Sequence, residues 1–295
     1  MKPYPNRMRH NATALRNISK CIYPAIFVTN DAVECGKLID QAYAQYASAN
    51  ASIPPTTPWS LQGGYVNHGS FTALELGKML PFGFVATKDS RLFVVIRETQ
   101  TPLEWLDDAS IQPMPFIPGW GSTTTGFGLL HNQIFPTIQR LISDHQGGIN
   151  QIFVTGHSLG AALGNLTAAH LIDAGTSNVQ MLTVYSFSGP RTGDPMFAAK
   201  YNQEVIRAWR IFNTEDLVPT LPLSTLDANP SATLGLFETN IELMLKLFLR
   251  RSPFLFQHVN EPVALTYQLS TVADNHNLTQ LYSRLPSPHG VANRI

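Results

Sequence analysis

Charge is scarce in this chain. Only 14% of its 295 residues are Asp, Glu, Lys or Arg, and the formal net charge is zero. That removes the basic footprint which nucleic-acid binding requires and predicts a nearly neutral surface, suited to apolar or uncharged substrates. Cysteine is scarcer: Cys21 and Cys35 are the only two, too few for a disulfide scaffold and without the spacing of a metal knuckle. One Cys21–Cys35 disulfide and two free thiols stand equally open. The first 20 residues carry Lys2, Arg7, Arg9 and Arg16 but lack an apolar stretch of about seven residues or more. They read as no signal peptide, which makes the cytoplasm the default expectation and leaves export by another route open. Sequons at Asn11, Asn17, Asn50, Asn165 and Asn277 do not decide the compartment. With no low-complexity linker and no internal repeat, residues 1–295 are expected to form one domain.

Against this background the segment Gly156-His157-Ser158-Leu159-Gly160 stands out. The run Ile152-Phe153-Val154-Thr155 before it is short, apolar and β-branched, whereas 161–171 is rich in Ala and Leu at helical spacing. A serine between two glycines at a strand-to-helix turn is the setting of a hydrolase nucleophile. Its backbone is strained there, and Gly156 and Gly160 leave room for an approach of strand and helix that a Cβ would block.

The remaining pattern alternates strands with helices. A helix is expected over 31–49, capped by Thr29 or Asn30, then a proline- and glycine-bearing loop over 52–69. Residues 82–87 and 92–97 read as an antiparallel hairpin joined at 88–90. Residues 100–126 read as a long irregular loop of the kind that often covers an active site. Then come a helix over 127–141, the elbow, a strand over 181–187, a helix near 197–202, strands over 205–212 and 263–269, and a short helix after His276. The order implies a mostly parallel central sheet with helices on both faces.

A serine hydroxyl needs a base and a third group to orient that base. Of nine histidines, His276 is the best placed, in a loop between the last strand and the terminal helix, with His258 its first competitor. His289, His157 and His170 fit the role less well. Asp216 follows a strand directly and is the candidate acid; Glu215 is its live alternative, and Asp194 reads better as a helix cap. The oxyanion formed in acyl transfer needs backbone donors, for which Leu159 and Thr99 are the candidates. No metal or organic cofactor is expected.

These motifs, with Phe187-Ser188-Gly189-Pro190-Arg191-Thr192-Gly193-Asp194, Asn213-Thr214-Glu215-Asp216-Leu217-Val218-Pro219 and Asn275-His276-Asn277-Leu278, resemble the class 3 lipases, the group of the Rhizomucor-type fungal lipases, feruloyl esterases and plant phospholipases A1. The resemblance runs over about residues 82–285. It implies an α/β-hydrolase fold, a Ser158, Asp216, His276 triad, Thr99 and Leu159 as oxyanion donors, and a lid over 100–108 whose Leu103, Trp105 and Leu106 meet the substrate. The implied activity is hydrolysis of a lipid or other ester at an oil–water interface, foremost as a triacylglycerol lipase, with phospholipase A1 or a feruloyl-type esterase as the alternative.

Two departures matter. The family usually reads Arg-Gly-Thr or Arg-Gly-Ser where this chain has Arg97-Glu98-Thr99. A carboxylate aimed inward would oppose the oxyanion and leave a lipase-like binding or signalling protein, whereas a Glu98 turned outward would pair with Arg97 or another base. The second departure is an insert over about 226–256, strongly apolar at 234–251, with Thr239, Glu242, Lys246 and Arg250 on one narrow helical face. It is too short for a stable membrane span. Burial under the protein's own loops and a second flap over the cleft are its two readings.

Overall fold

The expected hairpin is the seed of the sheet. Strand β2 (Lys78–Lys88) pairs antiparallel with β3 (Arg91–Ile96), and Asp89, with φ 54°, makes the tight turn between them. The computed structural model describes residues 25–51, 59–75, 77–99, 110–176, 181–222 and 256–285. On one side β2 pairs with β1 (Val66–Glu75). On the other, β3 is followed in parallel by β6 (Gln151–His157), β7 (Leu182–Phe187), β8 (Ala208–Asn213) and β9 (Glu261–Leu265), giving the order β1-β2-β3-β6-β7-β8-β9.

Strand periodicity divides the core between the two faces. Leu92, Val94 and Ile96 point into a cluster with Phe127, Ile134 and Ile138 of helix α2 (Thr125–His145) and Leu163 and Leu166 of α3 (Leu159–Asp173). Phe93 and Val95 point the other way, toward Leu38 and Ile39 of α1 (Thr29–Ala51) and Leu281 of a short C-terminal helix, Leu278–Tyr282. Because both faces are covered, the central strands carry unbroken apolar runs rather than alternation. The mostly parallel sheet with helices on both faces is therefore present as expected.

Four details differ from the sequence reading. Part of the expected 52–69 loop is β1, whose weak apolar pattern reflects an edge strand with two bulges, at Asn67/Gly69 and Phe71/Thr72. The irregular stretch contains a small antiparallel pair, β4 (Pro113–Pro115) and β5 (Ser122–Thr124). Strand β8 starts later than expected, and β9 sits earlier, ending at Leu265. Cys35 is a buried free thiol among the described residues. The sequon at Asn165 lies buried inside α3, where no glycan fits. The candidate lid 100–108 with Leu103, Trp105 and Leu106, the insert 226–255, Cys21 and His289 lie outside the described residues. Among the described residues no helix is long and apolar enough to cross a membrane.

Candidate active site

The C-terminal ends of the parallel strands bring the candidate residues to one edge of the sheet. Ser158 follows β6 directly and opens α3 with φ 55° and ψ −125°, a backbone region that a side chain enters only under strain. Its amide is held by the Phe187 carbonyl at 2.9 Å. The flanking glycines are required by contact: a Cβ on Gly156 would stand 2.2 Å from the Gly160 carbonyl oxygen, and one on Gly160 2.5 Å from that of Arg97. The Leu159 N–H, at the first position of α3, has no acceptor within its own helix.

Asp216 and His276 come from the loops after β8 and β9. His276 Nδ1–H donates to Asp216 Oδ2 at 2.7 Å, while Asp216 Oδ1 accepts from the Val218 amide at 3.0 Å. Two asparagines tie these loops together. Asn213 Oδ1 accepts from the Glu215 and Tyr267 amides and its Nδ2 donates to the Asn275 carbonyl; Asn275 Oδ1 accepts from the Leu269 amide at 2.8 Å. Glu215 is exposed beside the buried Asp216, so it does not compete. His258 sits near Arg210 and Arg191, where burial and their charge pull it down to about 3. His170 stacks on Phe135 and His131 behind the elbow, and Asp194 caps helix α4 (Pro195–Glu204) through the Phe197 amide.

Glu98 is the surprise. It does not pair with Arg97, whose guanidinium is fully buried, bonded at 2.7 Å to both Glu75 Oε2 and the Pro81 carbonyl, and stacked on Tyr46. Arg97 also donates to the carbonyl of Glu98, fixing the backbone there. The Glu98 side chain instead turns inward. Its Oε2 lies 3.4 Å from His276 Nε2 and 3.7 Å from His157 Nδ1, and it also approaches the Ser158 hydroxyl. No positive φ is involved: among described non-glycine residues that is confined to Asp89, Ser158, Ser188 and Asn260.

This arrangement sets the charges. Burial disfavours the His276 cation, but the hydrogen bond and charge of Asp216, joined by Glu98, raise its pKa to about 10. Burial would likewise raise Glu98, yet the His157 and His276 imidazoles hold it down, to about 2. Burial pulls His157 to about 4 despite Glu98, so it is neutral near pH 7. Its Nε2–H donates to the His276 carbonyl at 2.9 Å, which leaves Nδ1 to accept from Tyr43 Oη at 2.8 Å. Ser158 Oγ, His276 Nε2 and Glu98 Oε2 are all buried without a hydrogen-bond partner among the described residues. The 3.4 Å approach of Glu98 to His276 is an ion-pair contact whose angles are not those of a hydrogen bond. The pattern of residue types pointed to Ser158, Asp216 and His276 as candidates, and the fold brings Asp216 and His276 together. The pattern could not announce Tyr43 or Glu75, whose roles depend on which helix and edge strand close over the loop.

Comparison with known proteins adds to this geometry. Residues 93–226 match the family model described as Lipase (class 3). A chloroplastic/mitochondrial phospholipase A1 of Oryza sativa subsp. indica is 30% identical over 202 residues, covering 60% of this chain and 45% of the relative. A lipase of Caenorhabditis elegans is 31% identical over 144 residues, covering 48% of this chain and 41% of the relative. The chain thus spans less than half the length of either. In structure, a Rhizomucor miehei lipase propeptide complex superposes with a TM-score of 0.56 at 22% identity, over 66% of this chain and 63% of that one. Lipase II from Rhizopus niveus gives 0.54 at 24% identity, over 67% and 77%. The fold is that of these α/β-hydrolases. Several plant relatives are described as chloroplastic, so the cytoplasmic default gains no support.

Proposed function

We propose, from the class 3 lipase family to which residues 93–226 belong, that this chain is a serine hydrolase of carboxylic esters, with acylglycerols as its foremost substrates at an oil–water interface. The observation that carries the reading is the His276–Asp216 pair, 2.7 Å apart, tied to the strained Ser158 elbow by the 2.9 Å bond from His157 to the His276 carbonyl. In the reaction, Glu98 first turns out of the cleft and His276 gives up its Nε2 proton to solvent water. The imidazole then takes the Ser158 proton as Oγ attacks the ester carbonyl, and returns it to the leaving alcohol. Asp216 orients the imidazole and stabilises its cation. The N–H groups of Leu159 and Thr99 hold the tetrahedral oxyanion, and water repeats the cycle on the acyl-enzyme to release the acid.

A second reading, phospholipase A1, shares every one of these steps and differs in the pocket; the phospholipases A1 among the relatives favour it. The inward Glu98 favours a third, a lipase-like binding protein with an impaired oxyanion site. One experiment separates the three: esters of short to long acyl chain, triolein and a phospholipid, offered to the parent and to Ser158→Ala. Turnover of triolein by the parent alone supports the lipase, preference for the phospholipid supports the second reading, and no turnover supports the third. Turnover that survives in Ser158→Ala removes Ser158 from the mechanism.

A further inference from the structure

Glu98, His157 and His276 do more than surround the serine. Their ligand atoms all lie within 4.8 Å of one another. Zinc bound at about 2.0–2.1 Å in a tetrahedron needs ligand atoms about 3.4 Å apart. Glu98 Oε2 lies 3.4 Å from His276 Nε2 and 3.7 Å from His157 Nδ1, so small side-chain adjustments bring those two edges to size.

The neutral His157 ring already presents a lone pair, and His276 presents one once the incoming ion displaces its Nε2 proton to solvent. His276 uses Nδ1–H on Asp216 and His157 uses Nε2–H on the His276 carbonyl, so His276 Nε2, once deprotonated, and His157 Nδ1 are the nitrogens that face Glu98. A carboxylate or a carbonyl holding the far nitrogen is the outer support that zinc-binding histidines ordinarily have. His276 Nε2 and Glu98 Oε2 are moreover buried polar atoms without a hydrogen-bond partner among the described residues, a cost that an ion would remove. Only Tyr43 Oη, 2.8 Å from His157 Nδ1, has to turn aside.

We propose that these three residues form an inhibitory binding site for a divalent transition ion of the zinc type, with two imidazoles and one carboxylate as ligands and the fourth position taken by water. Binding engages the His276 lone pair that ester hydrolysis needs, so the occupied protein is catalytically silent. The inward carboxylate is then a ligand, and its replacement by glycine would remove the site. Binding of the ion does not rest on ester turnover and is measured without it.

The test uses full-length, chelator-treated protein. Zinc affinity is measured by competition with a chromophoric chelator, stoichiometry by elemental analysis, and geometry by the visible absorption of Co2+ loaded instead. One ion per chain, a tetrahedral Co2+ spectrum and at least 100-fold weaker binding by Glu98→Gln support the site. Gln is isosteric, and far-UV circular dichroism verifies that the variant is folded. The stacked His68–His145 pair, with ring centroids 3.8 Å apart, is the competing location. Binding unaffected by Glu98→Gln, binding lost in His145→Gln, or no binding to the folded parent each overturns the proposal.

Discussion

Glu98 Oε2 and His276 Nε2 face each other at 3.4 Å, on the side of the imidazole away from Asp216. The ring is thus a cation between two carboxylates, and in the proposed reaction the Glu98 charge, beside Ser158, would oppose the oxyanion. Two unit charges about 5 Å apart at an effective dielectric of about 20 interact by about 3 kcal/mol, close to two powers of ten in rate. Glu98→Gln is therefore expected to raise kcat/KM for a short soluble ester by about 10- to 100-fold over a low but detectable parent value. Steady-state kinetics in chelator checks this, and an unchanged or lower value would overturn the charge argument.

The same contact predicts a pH profile. A base must be neutral to accept the serine proton, and Asp216 and Glu98, against the effect of burial, hold His276 protonated up to about pH 10. Activity of the metal-free parent should climb through the alkaline range instead of levelling near pH 7. In Glu98→Gln the midpoint of that climb should move to lower pH, with Asp216 still in place. Profiles of kcat/KM for the two proteins decide it, and coincident midpoints would remove Glu98 as a cause.

Backbone strain at Ser158 gives a prediction that opposes stability to activity. Its φ of 55° is a conformation that glycine adopts freely. Ser158→Gly should gain about 1 kcal/mol, seen as a melting point higher by about 2–4 °C, while ester turnover falls to background. A lower melting point would mean that the strain is absent or compensated.

Arg97 and Glu75 are a buried ion pair, with Arg97 fully inaccessible. Arg97→Met leaves the Glu75 carboxylate uncompensated and should cost about 3–5 kcal/mol, much of which Glu75→Leu in the same chain should restore. Denaturant unfolding of the two variants measures the difference. Equal stability of the single and double variants would assign the cost to the lost Pro81 and Glu98 carbonyl contacts instead.

His131 is buried between Phe116, Phe135 and His170 with neither ring nitrogen bonded to any described residue, and burial together with His170 lowers its pKa well below the usual value. The unfolded chain therefore takes up a proton that the folded one refuses, so stability declines as pH falls below about 6.5. His131→Phe should stabilise modestly at pH 8 and more at pH 5. An equal gain at both values would show that His131 carries no such linkage.

Residue order made the elbow legible, since a strand, a strained serine and a helix each leave a local pattern. Asp216 was readable as a candidate because it closely follows a strand of the parallel set, and His276 because it lies between the last strand and the terminal helix. The edge strand β1 was hidden: its bulges break the alternation, and only a few of its residues, among them Phe71 and Ala73, are buried. The inward turn of Glu98 was also hidden. Its neighbour Arg97 offered an obvious partner, and only the fold reveals that Glu75, 22 residues away on the edge strand, had already taken the guanidinium.

The anchoring of Arg97 also bears on how this site can change over generations. Arg97 and the close contact with Gly160 fix the backbone of the loop independently of the side chain at 98, and that backbone asks for no special φ. Glutamate and glycine codons differ at a single nucleotide. On the proposed reading, one transition would be enough to exchange a muted, ion-responsive hydrolase for an unguarded one, with no second mutation needed to preserve the scaffold.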